Sequence, residues 1–394
     1  MSSVEQSRQE GNALATHRFV VACGVVGVIG LALSVIGVVT ANRDQFFRSY
    51  LTAYTLWVGL SLGSMGIVFI QFLTGGNWGL ATRRIFEAAS ATTPLMAVLF
   101  VPLLFGIPSL YSWALPADVA ADPVLQHKAL YLNISFFVVR TIFYLAVWIV
   151  LALLLRRFSV AADLRALQKL SIVGAASLGL TVSFAAIDWL MSLDADWYST
   201  MYPPLVAMGF VLFAFAFGIV VIVFLAPRTP LQELVNPRLL NDLGSLLLAF
   251  LMLWGYMQYF EYLLIWAGNL TDEIPWYLRR IDGNWQQVAI SLAAFGFGLP
   301  FWFLLFRPLK RNPVTLACIA GWLMLMHLVD VYWLVEPPFS PAGPSLSWLD
   351  GATLIGIGGV WLAVFAWQLG RRPLLAPGDP RLVRAFAEVA HEPA

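Results

Sequence analysis

The sequence is poor in charged residues. Only 11% of its 394 residues are charged, whereas about a quarter are charged in a typical soluble protein. At the same time 60% of the residues are hydrophobic. These proportions exclude a soluble globular domain and predict a polytopic membrane protein.

Cysteine and histidine are also scarce, which excludes several kinds of site. Cys23 and Cys318 lie far apart in apolar runs, so the chain cannot hold an iron-sulfur cluster, a four-ligand zinc site or a disulfide framework, and we interpret both as buried apolar side chains. Only His327 lies inside an apolar stretch, so a bis-histidine haem within the membrane lacks a second ligand. We therefore predict no metal and no intrinsic redox cofactor. The other histidines are His17, His127 and His391.

The net charge is +1 and no basic run occurs in the sequence. Nucleic acid is therefore not expected as a partner.

Ten apolar stretches are long enough to cross a hydrocarbon core of roughly 30 Å as helices. The first is too long for a signal-peptide core and lacks a convincing cleavage site, so we interpret it as a membrane anchor. A membrane domain over 19–369 is predicted between cytoplasmic tails at 1–18 and 370–394. The predicted spans are 19–40, 51–73, 85–107, 130–155, 170–192, 204–225, 243–267, 287–306, 313–335 and 351–369.

The cations divide unequally between the two sides of these spans, and Arg140 lies within span 4. Positive residues near span ends are retained in the cytoplasm, so the richer side predicts cytoplasmic termini. We call the richer side the inner side and the other the outer side. The outer side holds Arg43, Arg48, Lys128, Arg279 and Arg280, and the inner side holds Arg8, Arg18, Arg83, Arg84, Arg156, Arg157, Arg165, Lys169, Arg228, Arg238, Arg307, Lys310, Arg311, Arg371, Arg372, Arg381 and Arg384.

The outer connections are rich in aromatic residues. Interfacial belts of Trp and Tyr account for part of this enrichment. A docking face for an extracytoplasmic partner is the alternative interpretation. The residues are Tyr111, Trp113, Trp197, Tyr198, Trp276, Tyr277 and Trp285.

The chain shows signs of an internal duplication. GIVFIQFL at 66–73 and GIVVIVFL at 218–225 share six of eight residues, and the ends of spans 4 and 8 also match, with Arg156 aligned to Arg307. A unit of four spans returns to its starting side. Spans 2 to 5 (51–192) and 6 to 9 (204–335) are therefore predicted to be parallel repeats, each a four-helix bundle, flanked by helices 1 and 10.

Ionisable residues within spans are candidate functional residues, because burying them costs several kcal/mol unless they are paired or hydrated. Asp188, Glu261 and Asp330 fall at similar positions in three outward-running spans, which predicts a common depth in the outer half of the membrane. His327 is one helical turn from Asp330, and Arg140 is somewhat deeper. These five residues could form one buried polar cluster.

Two further carboxylates, Glu87 and Asp242, lie near the inner ends of spans 3 and 7. Together with the outer cluster they suggest a proton route, in which carboxylates and an imidazole exchange protons. Glu261 is the strongest single candidate, because it follows Gln258 in an otherwise apolar span.

Each of these residues also has a structural interpretation. Asp188 could lie in the headgroup region, and Arg140 could simply neutralise a buried carboxylate and lock two helices together. His327 could be a hydrogen-bonded packing residue. Glu87 could pair only with Arg83 or Arg84.

Three segments resemble a known family. YMQYFEYLLIWAGNLTDEIPWYLRRIDGNW at 256–285 is similar to the segment after the seventh span in the membrane subunits of bacterial alternative complex III, which are of the polysulfide reductase anchor (NrfD) type. NWGLATRRIFEAAS at 77–90 resembles the start of their third span, and PLLAPGDPRL at 373–382 resembles the tail of the second such subunit. The resemblance covers essentially the whole chain. After LLIWAGN, where the family pattern is Pro-Glu-Glu-like, this chain keeps Asp272 and Glu273 without the proline.

The resemblance implies a ten-helix subunit in a quinol-oxidising complex of the bacterial inner membrane. It implies a sister NrfD-like membrane subunit and extracytoplasmic iron-sulfur and haem c subunits, which pass electrons from quinol to a periplasmic acceptor. In that family quinol binding is assigned chiefly to the sister subunit, and this subunit is proposed to conduct protons. A quinol remains a possible ligand here.

Two other functions fit the sequence. A secondary transporter could use two four-helix repeats that rock about a central site. However, we see no pair of short spans interrupted by glycine or proline. A purely structural anchor would use its buried polar residues only to fasten helices.

Overall fold

The computed structural model describes residues 3–40, 42–76, 78–227, 231–271, 273–281 and 283–375. Within the first of these ranges, side chains are described only from His17 to Val38. No strand occurs in these ranges, and they contain ten helices that are long and apolar enough to cross a membrane. The helices are α1 His17–Val38, α2 Arg43–Thr74, α3 Trp78–Phe105, α4 Ile134–Val160, α5 Leu164–Leu193, α6 Tyr202–Leu225, α7 Pro237–Gly268, α8 Trp285–Leu305, α9 Pro313–Val335 and α10 Trp348–Gly370.

Several residues named from the sequence lie outside the described residues or the described side chains. They are Arg8, Arg228, Asp272, Arg381, Arg384 and His391.

The ten predicted spans are confirmed, although some helices begin earlier than their apolar stretch. The second begins at Arg43 rather than at 51, and the seventh begins at Pro237 rather than at 243. In both cases an asparagine side chain caps the helix. Asn42 accepts a hydrogen bond from the Asp44 amide, and Asn236 accepts one from the Leu239 amide. The capped ends allow these helices to extend into polar sequence. A hydropathy profile detects only the apolar part of each helix and therefore misses this extension.

Helices α2 and α6 form the centre of the molecule. They pack against each other, and α2 also contacts α3, α5 and α10, while α6 also contacts α5, α7 and α9. They are the most buried of the ten spans. Their apolar side chains therefore face protein on nearly all sides, whereas α1 and α8 present most of theirs outward.

Helix α1 is held mainly by α10, and glycines bring the two backbones together. A Cβ at Gly30 would lie 2.7 Å from the Cα of Gly356, and a Cβ at Gly27 would lie 2.8 Å from the carbonyl carbon of Gly359. Small residues at such positions permit the close van der Waals packing that holds membrane helices together.

Helix α3 is interrupted within the membrane span. It consists of the segments Trp78–Ser90, Thr93–Leu99 and Val101–Phe105, and Pro94 and Pro102 follow the breaks. Pro94 has no N–H to donate to the preceding turn, and the Thr93 hydroxyl donates to the Ser90 carbonyl instead, at 2.7 Å. The interruption is not predicted from the apolar run, and the chain stays helical on both sides of it.

The interpretation of both cysteines as buried residues is wrong for Cys318, which is exposed on α9, while Cys23 is half-buried. An apolar run in a membrane helix does not reveal which of its faces points to lipid. The thiol of Cys318 therefore lies on the face of α9 that points away from the other helices.

Candidate functional site

The first polar group joins α4 to α5 through Arg140 and Asp188. Arg140 Nε donates to Asp188 Oδ2 at 2.8 Å and Nη2 donates to Oδ1 at 2.9 Å, while the Tyr144 hydroxyl donates to Oδ2 at 2.9 Å. Asp188 is completely buried. Both carboxylate oxygens are thus occupied, which is the arrangement expected of a helix-locking ion pair.

The guanidinium of Arg140 is satisfied in other directions as well. Its Nη1 donates to the Tyr131 carbonyl at 2.9 Å, and its Cζ lies 3.8 Å from the ring centroid of Tyr131 and 4.2 Å from that of Phe136. Asp188 is therefore enclosed by protein rather than exposed at the surface of the helix bundle. The surrounding protein compensates its charge.

The second polar group joins α7 to α9 through Gln258, His327 and Asp330. His327 and Asp330 are three residues apart and share a helix face, and His327 Nδ1 lies 3.5 Å from Asp330 Oδ2. Gln258 Nε2 donates to Asp330 Oδ1 at 3.2 Å. No arginine or lysine forms an ion pair with Asp330 in the described part of the chain.

The imidazole of His327 packs tightly against α6. Its ring centroid lies 5.0 Å from that of Phe213, and a Cβ at Gly209 would lie 2.9 Å from His327 Cε1. His327 Nε2 is buried and has no hydrogen-bond partner among the described residues. Such an orphaned atom is unusual in a protein interior and is expected to bind water or a proton.

Glu261 lies on α7, one turn beyond Gln258, and is only 2% exposed. The Ser199 hydroxyl donates to its Oε2 at 2.9 Å. Its Oε1 is buried without a partner in the described structure. Glu261 thus has one satisfied oxygen and one open oxygen, unlike Asp188.

The structure separates the five outer residues. Arg140 pairs with Asp188, His327 lies beside Asp330, and Glu261 bonds to Ser199; we find no hydrogen bond or ion pair among the described residues that joins these three sets. Gln258, which bonds to Asp330, and Glu261 lie one turn apart on α7. We therefore treat Ser199, Gln258, Glu261, His327 and Asp330 together and call them the acid–imidazole group.

A layer of arginine and tryptophan side chains packs on the start of α6 and the end of α9, where Trp276 contacts Tyr202 and Trp333. Arg280 is 1% exposed, pairs with Asp194 at 3.2 Å and lies 3.7 Å from the Trp276 ring centroid. Burial lowers the pKa of Arg280, and Asp194 opposes this shift. Trp276 stacks on Trp197 with ring centroids 4.4 Å apart. From the sequence, Arg280 is only one of the outer cations, and this layer is not predicted.

Tyr202, the first residue of α6, belongs to this layer. It is buried, and its ring centroid lies 5.4 Å from that of Trp197 and 6.0 Å from that of Trp276.

The aromatic residues of the outer connections are mostly buried, contrary to the expectation of an exposed docking face. They pack on one another and on the helices beneath them, as in the stack of Tyr111 on Trp113 at 4.9 Å. Tyr198 is the exception, at 57% exposed. The buried ones are Tyr111, Trp113, Trp197, Trp276, Tyr277 and Trp285.

At the inner side, Glu87 is held by α3 and α4 together. Arg83 Nε donates to its Oε1 at 2.6 Å, Arg84 Nη1 donates to its Oε2 at 2.7 Å, and the Ser159 hydroxyl lies 2.7 Å from Oε1. Glu87 therefore pairs with both Arg83 and Arg84. Asp242, the other inner carboxylate, is exposed.

Glu336 is a buried carboxylate that is absent from the candidates chosen by sequence. It follows the end of α9, is 1% exposed, and accepts a hydrogen bond from the Ser340 hydroxyl at 3.0 Å. Burial raises its pKa to about 7, against a lowering by that hydrogen bond and by Arg48. The only signal in the sequence is an acidic residue between an apolar span and two prolines.

Comparison with known proteins assigns no family to the chain. No family model matches it, and no curated protein matches it. Among the described residues, no group of three or more His, Cys, Asp or Glu side chains is placed to hold a metal ion.

Proposed function

We propose that this protein is the membrane subunit of a quinol-oxidising respiratory complex of the alternative complex III type, and that it contributes quinone-side structure and a proton path. The proposal includes a bacterial inner-membrane location with cytoplasmic termini. Its partners are a sister NrfD-like subunit and extracytoplasmic subunits carrying haem c and iron-sulfur clusters. The ten helices and the resemblance of three segments to that family support it.

One observation carries the proton path. Glu261 Oε1 and His327 Nε2 are buried and have no partner among the described residues, whereas the other oxygen of Glu261 bonds to Ser199 and the other nitrogen of His327 lies 3.5 Å from Asp330. A protonatable oxygen and a protonatable nitrogen that are both open can take up and release a proton without breaking an existing ion pair. Asp188 differs, because a proton there must compete with Arg140.

The proposed duplication offers a reason for this difference. The alignment that pairs Arg156 with Arg307 pairs Arg140 with Ser291, so the second copy lacks the arginine that neutralises the first. Asp188 and Asp330, near the ends of the fifth and ninth helices, correspond at a shorter offset and have different partners. The offset is shorter because fewer residues separate Arg307 from Asp330 than separate Arg156 from Asp188. Packing of α2 against α6, the first helices of the two copies, supports parallel repeats about a central axis.

In the proposed path, Glu261, Asp330 and His327 exchange protons in the outer half. Asp188 with Arg140 sets the local charge, and Glu87 and Asp242 form the cytoplasmic mouth. On α7 alone, Asp242 and Glu261 are 19 residues apart, about 28 Å along the helix. Protons must therefore cross a largely apolar stretch, which requires water molecules between the helices.

The test uses the intact complex, purified with its partner subunits and reconstituted in vesicles. Glu261→Gln and Asp330→Asn, singly and together, are expected to leave haem reduction by quinol measurable but to reduce coupled proton release at least tenfold. Asp118→Asn, at an exposed outer residue, is the matched control and should behave like wild type. Unchanged proton release in the double variant refutes the path. Absence of haem-bearing partners from the native complex refutes the assignment to this type of complex.

The secondary transporter remains the second candidate because α3 is interrupted at Pro94, within the membrane. Solute-dependent uptake by vesicles containing this chain alone would favour it. A structural anchor predicts wild-type turnover after the acid–imidazole group is neutralised.

A further inference from the structure

A pocket at the inner ends of three helices is lined by arginines. It is a small cleft between α3, α4 and the end of α10 that is partly open to the outside. Arg84 lies on α3, Arg156 lies on α4, and Arg372 is the second residue after the end of α10. Three helices that are far apart in sequence thus direct cations to one place.

The positive charge in this pocket exceeds the negative charge. Glu87 is the one carboxylate among the lining residues, and it already accepts hydrogen bonds from Arg83, Arg84 and Ser159. In the described structure, neither Arg156 nor Arg372 has a carboxylate within 4 Å. At least two guanidinium groups therefore lack a counterion there.

Arg84 supplies an independent sign of a missing ligand. Its side chain is about nine-tenths buried, and its Nε has no hydrogen-bond partner in the described residues, although its Nη1 bonds to Glu87. A buried guanidinium N–H without an acceptor is costly unless a ligand or water occupies the site. The surroundings of Arg372 agree with this, because burial and the neighbouring Arg84 and Arg156 lower its pKa, and Glu87 opposes the shift only in part.

The wall of the pocket is partly made of small side chains. Ala88, Ala91 and Ala152 line it together with Leu155 and Leu369, and its open side leaves a bound group in contact with the exterior. Next to it on α4, Val150 and Leu153 are exposed apolar residues on the helix that carries Arg156. A charged head in the pocket and an apolar tail along α4 would both find suitable surfaces.

We infer that Arg84, Arg156 and Arg372 form a binding site for a phosphate-bearing anion at the inner membrane surface. Guanidinium groups bind phosphate oxygens through paired N–H donors, and basic pockets between membrane helices at this level bind anionic lipid head groups. The two sources of such a group are an anionic phospholipid and a soluble phosphate. The site is independent of the proposed proton path, because it requires neither Glu261 nor His327.

The experiment measures anion binding by the purified full-length protein. In one arm, dioleoylphosphatidylglycerol or dioleoylphosphatidylcholine is titrated into the detergent-solubilised protein, and bound lipid is counted by native mass spectrometry. In the other arm, inorganic phosphate is titrated calorimetrically. The variant is Arg156→Gln with Arg372→Gln, which removes the two arginines that pair with no carboxylate in the described structure and leaves the Arg84–Glu87 pair in place.

The matched control is Arg157→Gln with Arg371→Gln. These residues are the sequence neighbours of the first pair, are exposed, and do not line the pocket, yet their removal changes the net charge equally. Equal unfolding temperatures for the two double variants establish that both are folded.

Wild type is expected to bind one phosphatidylglycerol in preference to phosphatidylcholine, and the Arg156/Arg372 variant about 30-fold more weakly, at about fivefold for each arginine. The control should lose less than threefold. Binding of inorganic phosphate with the same variant dependence, without a lipid preference, identifies the soluble source. Equal losses in the two double variants, or no binding of either anion by wild type, overturn the inference.

Discussion

Arg140 and Asp188 face each other across α4 and α5 with two parallel hydrogen bonds of 2.8 and 2.9 Å, whereas Asp330 in the ninth helix has a glutamine and a histidine beside it instead. The carboxylates near the ends of the fifth and ninth helices are therefore in different electrostatic environments. The first is neutralised by an arginine, and the second has no arginine or lysine partner among the described residues. Substitutions at the two sites should therefore have different effects.

Breaking the Arg140–Asp188 pair is expected to destabilise the protein. Asp188→Asn or Arg140→Gln leaves one buried group without its partner, which typically costs about 3–5 kcal/mol. Thermal unfolding in detergent should show a clear decrease in midpoint for each single variant. The double variant Arg140→Leu with Asp188→Leu should lose less than either single change, because no uncompensated charge remains. Wild-type midpoints for both single variants contradict a helix-locking role.

Glu261→Gln is expected to leave stability nearly unchanged, within about 1 kcal/mol, because the amide oxygen can still accept from the Ser199 hydroxyl. The same substitution removes the proton-exchanging group. A comparison of unfolding midpoints with those of Asp188→Asn therefore distinguishes a functional from a structural carboxylate. A loss as large as that of Asp188→Asn would show that Glu261 is also a structural residue.

Glu336 should make stability depend on pH. Its pKa rises from 4.5 to about 7 in the folded state, so stability is greatest below pH 4.5, decreases as the pH rises toward 7, and levels off above that. The full change in the free energy of unfolding that Glu336 causes is about 3 kcal/mol. Unfolding midpoints measured between pH 5 and 8 should decrease in wild type and vary less in Glu336→Gln. Glu273→Gln, at a half-buried outer residue, is the control, and parallel curves for all three proteins would rule out this role for Glu336.

The packing of α1 on α10 can be tested by cross-linking. A Cβ at Gly24 would lie 3.8 Å from the Cβ of Ala363, which is the usual Cβ separation in a disulfide. Gly24→Cys with Ala363→Cys, in a background with Cys23→Ala and Cys318→Ala, should form a disulfide on mild oxidation. Gly24→Cys with Gly351→Cys is the control, because a Cβ at Gly351 has no atom within 4 Å. Peptide mass spectrometry reads the outcome, and equal cross-linking of both pairs would disprove the predicted contact.

Much of the fold can be predicted from the sequence because each span is a local property. The ninth helix, for example, is predicted at 313–335 and lies at Pro313–Val335. Hydropathy does not reveal the break in α3, since it averages over the residues around Pro94 and not over their backbone hydrogen bonds. It also cannot show that Cys318 faces outward.

The candidate site is predictable only as a set of residue types. His327 and Asp330 are recognisable as neighbours because they are one turn apart on the same helix. The outer layer formed by Arg280 and Trp276 is not recognisable, because Asp194, the partner of Arg280, is 86 residues away in the chain. Glu336 escapes prediction for a related reason, since the sequence places it in a loop and only the folded protein buries it.

The sequence by itself determined that this chain forms ten helices long and apolar enough to cross a membrane, because apolar runs of about 20 residues match the thickness of the hydrocarbon core and helices satisfy their own backbone there. It also determined which scarce charges had to be explained. Only the tertiary structure decided the partner of each charge. Asp188 meets Arg140 on a neighbouring helix, while Glu261 and His327 keep polar atoms without a partner among the described residues, because pairing depends on how helices pack against one another and not on the composition of any single helix.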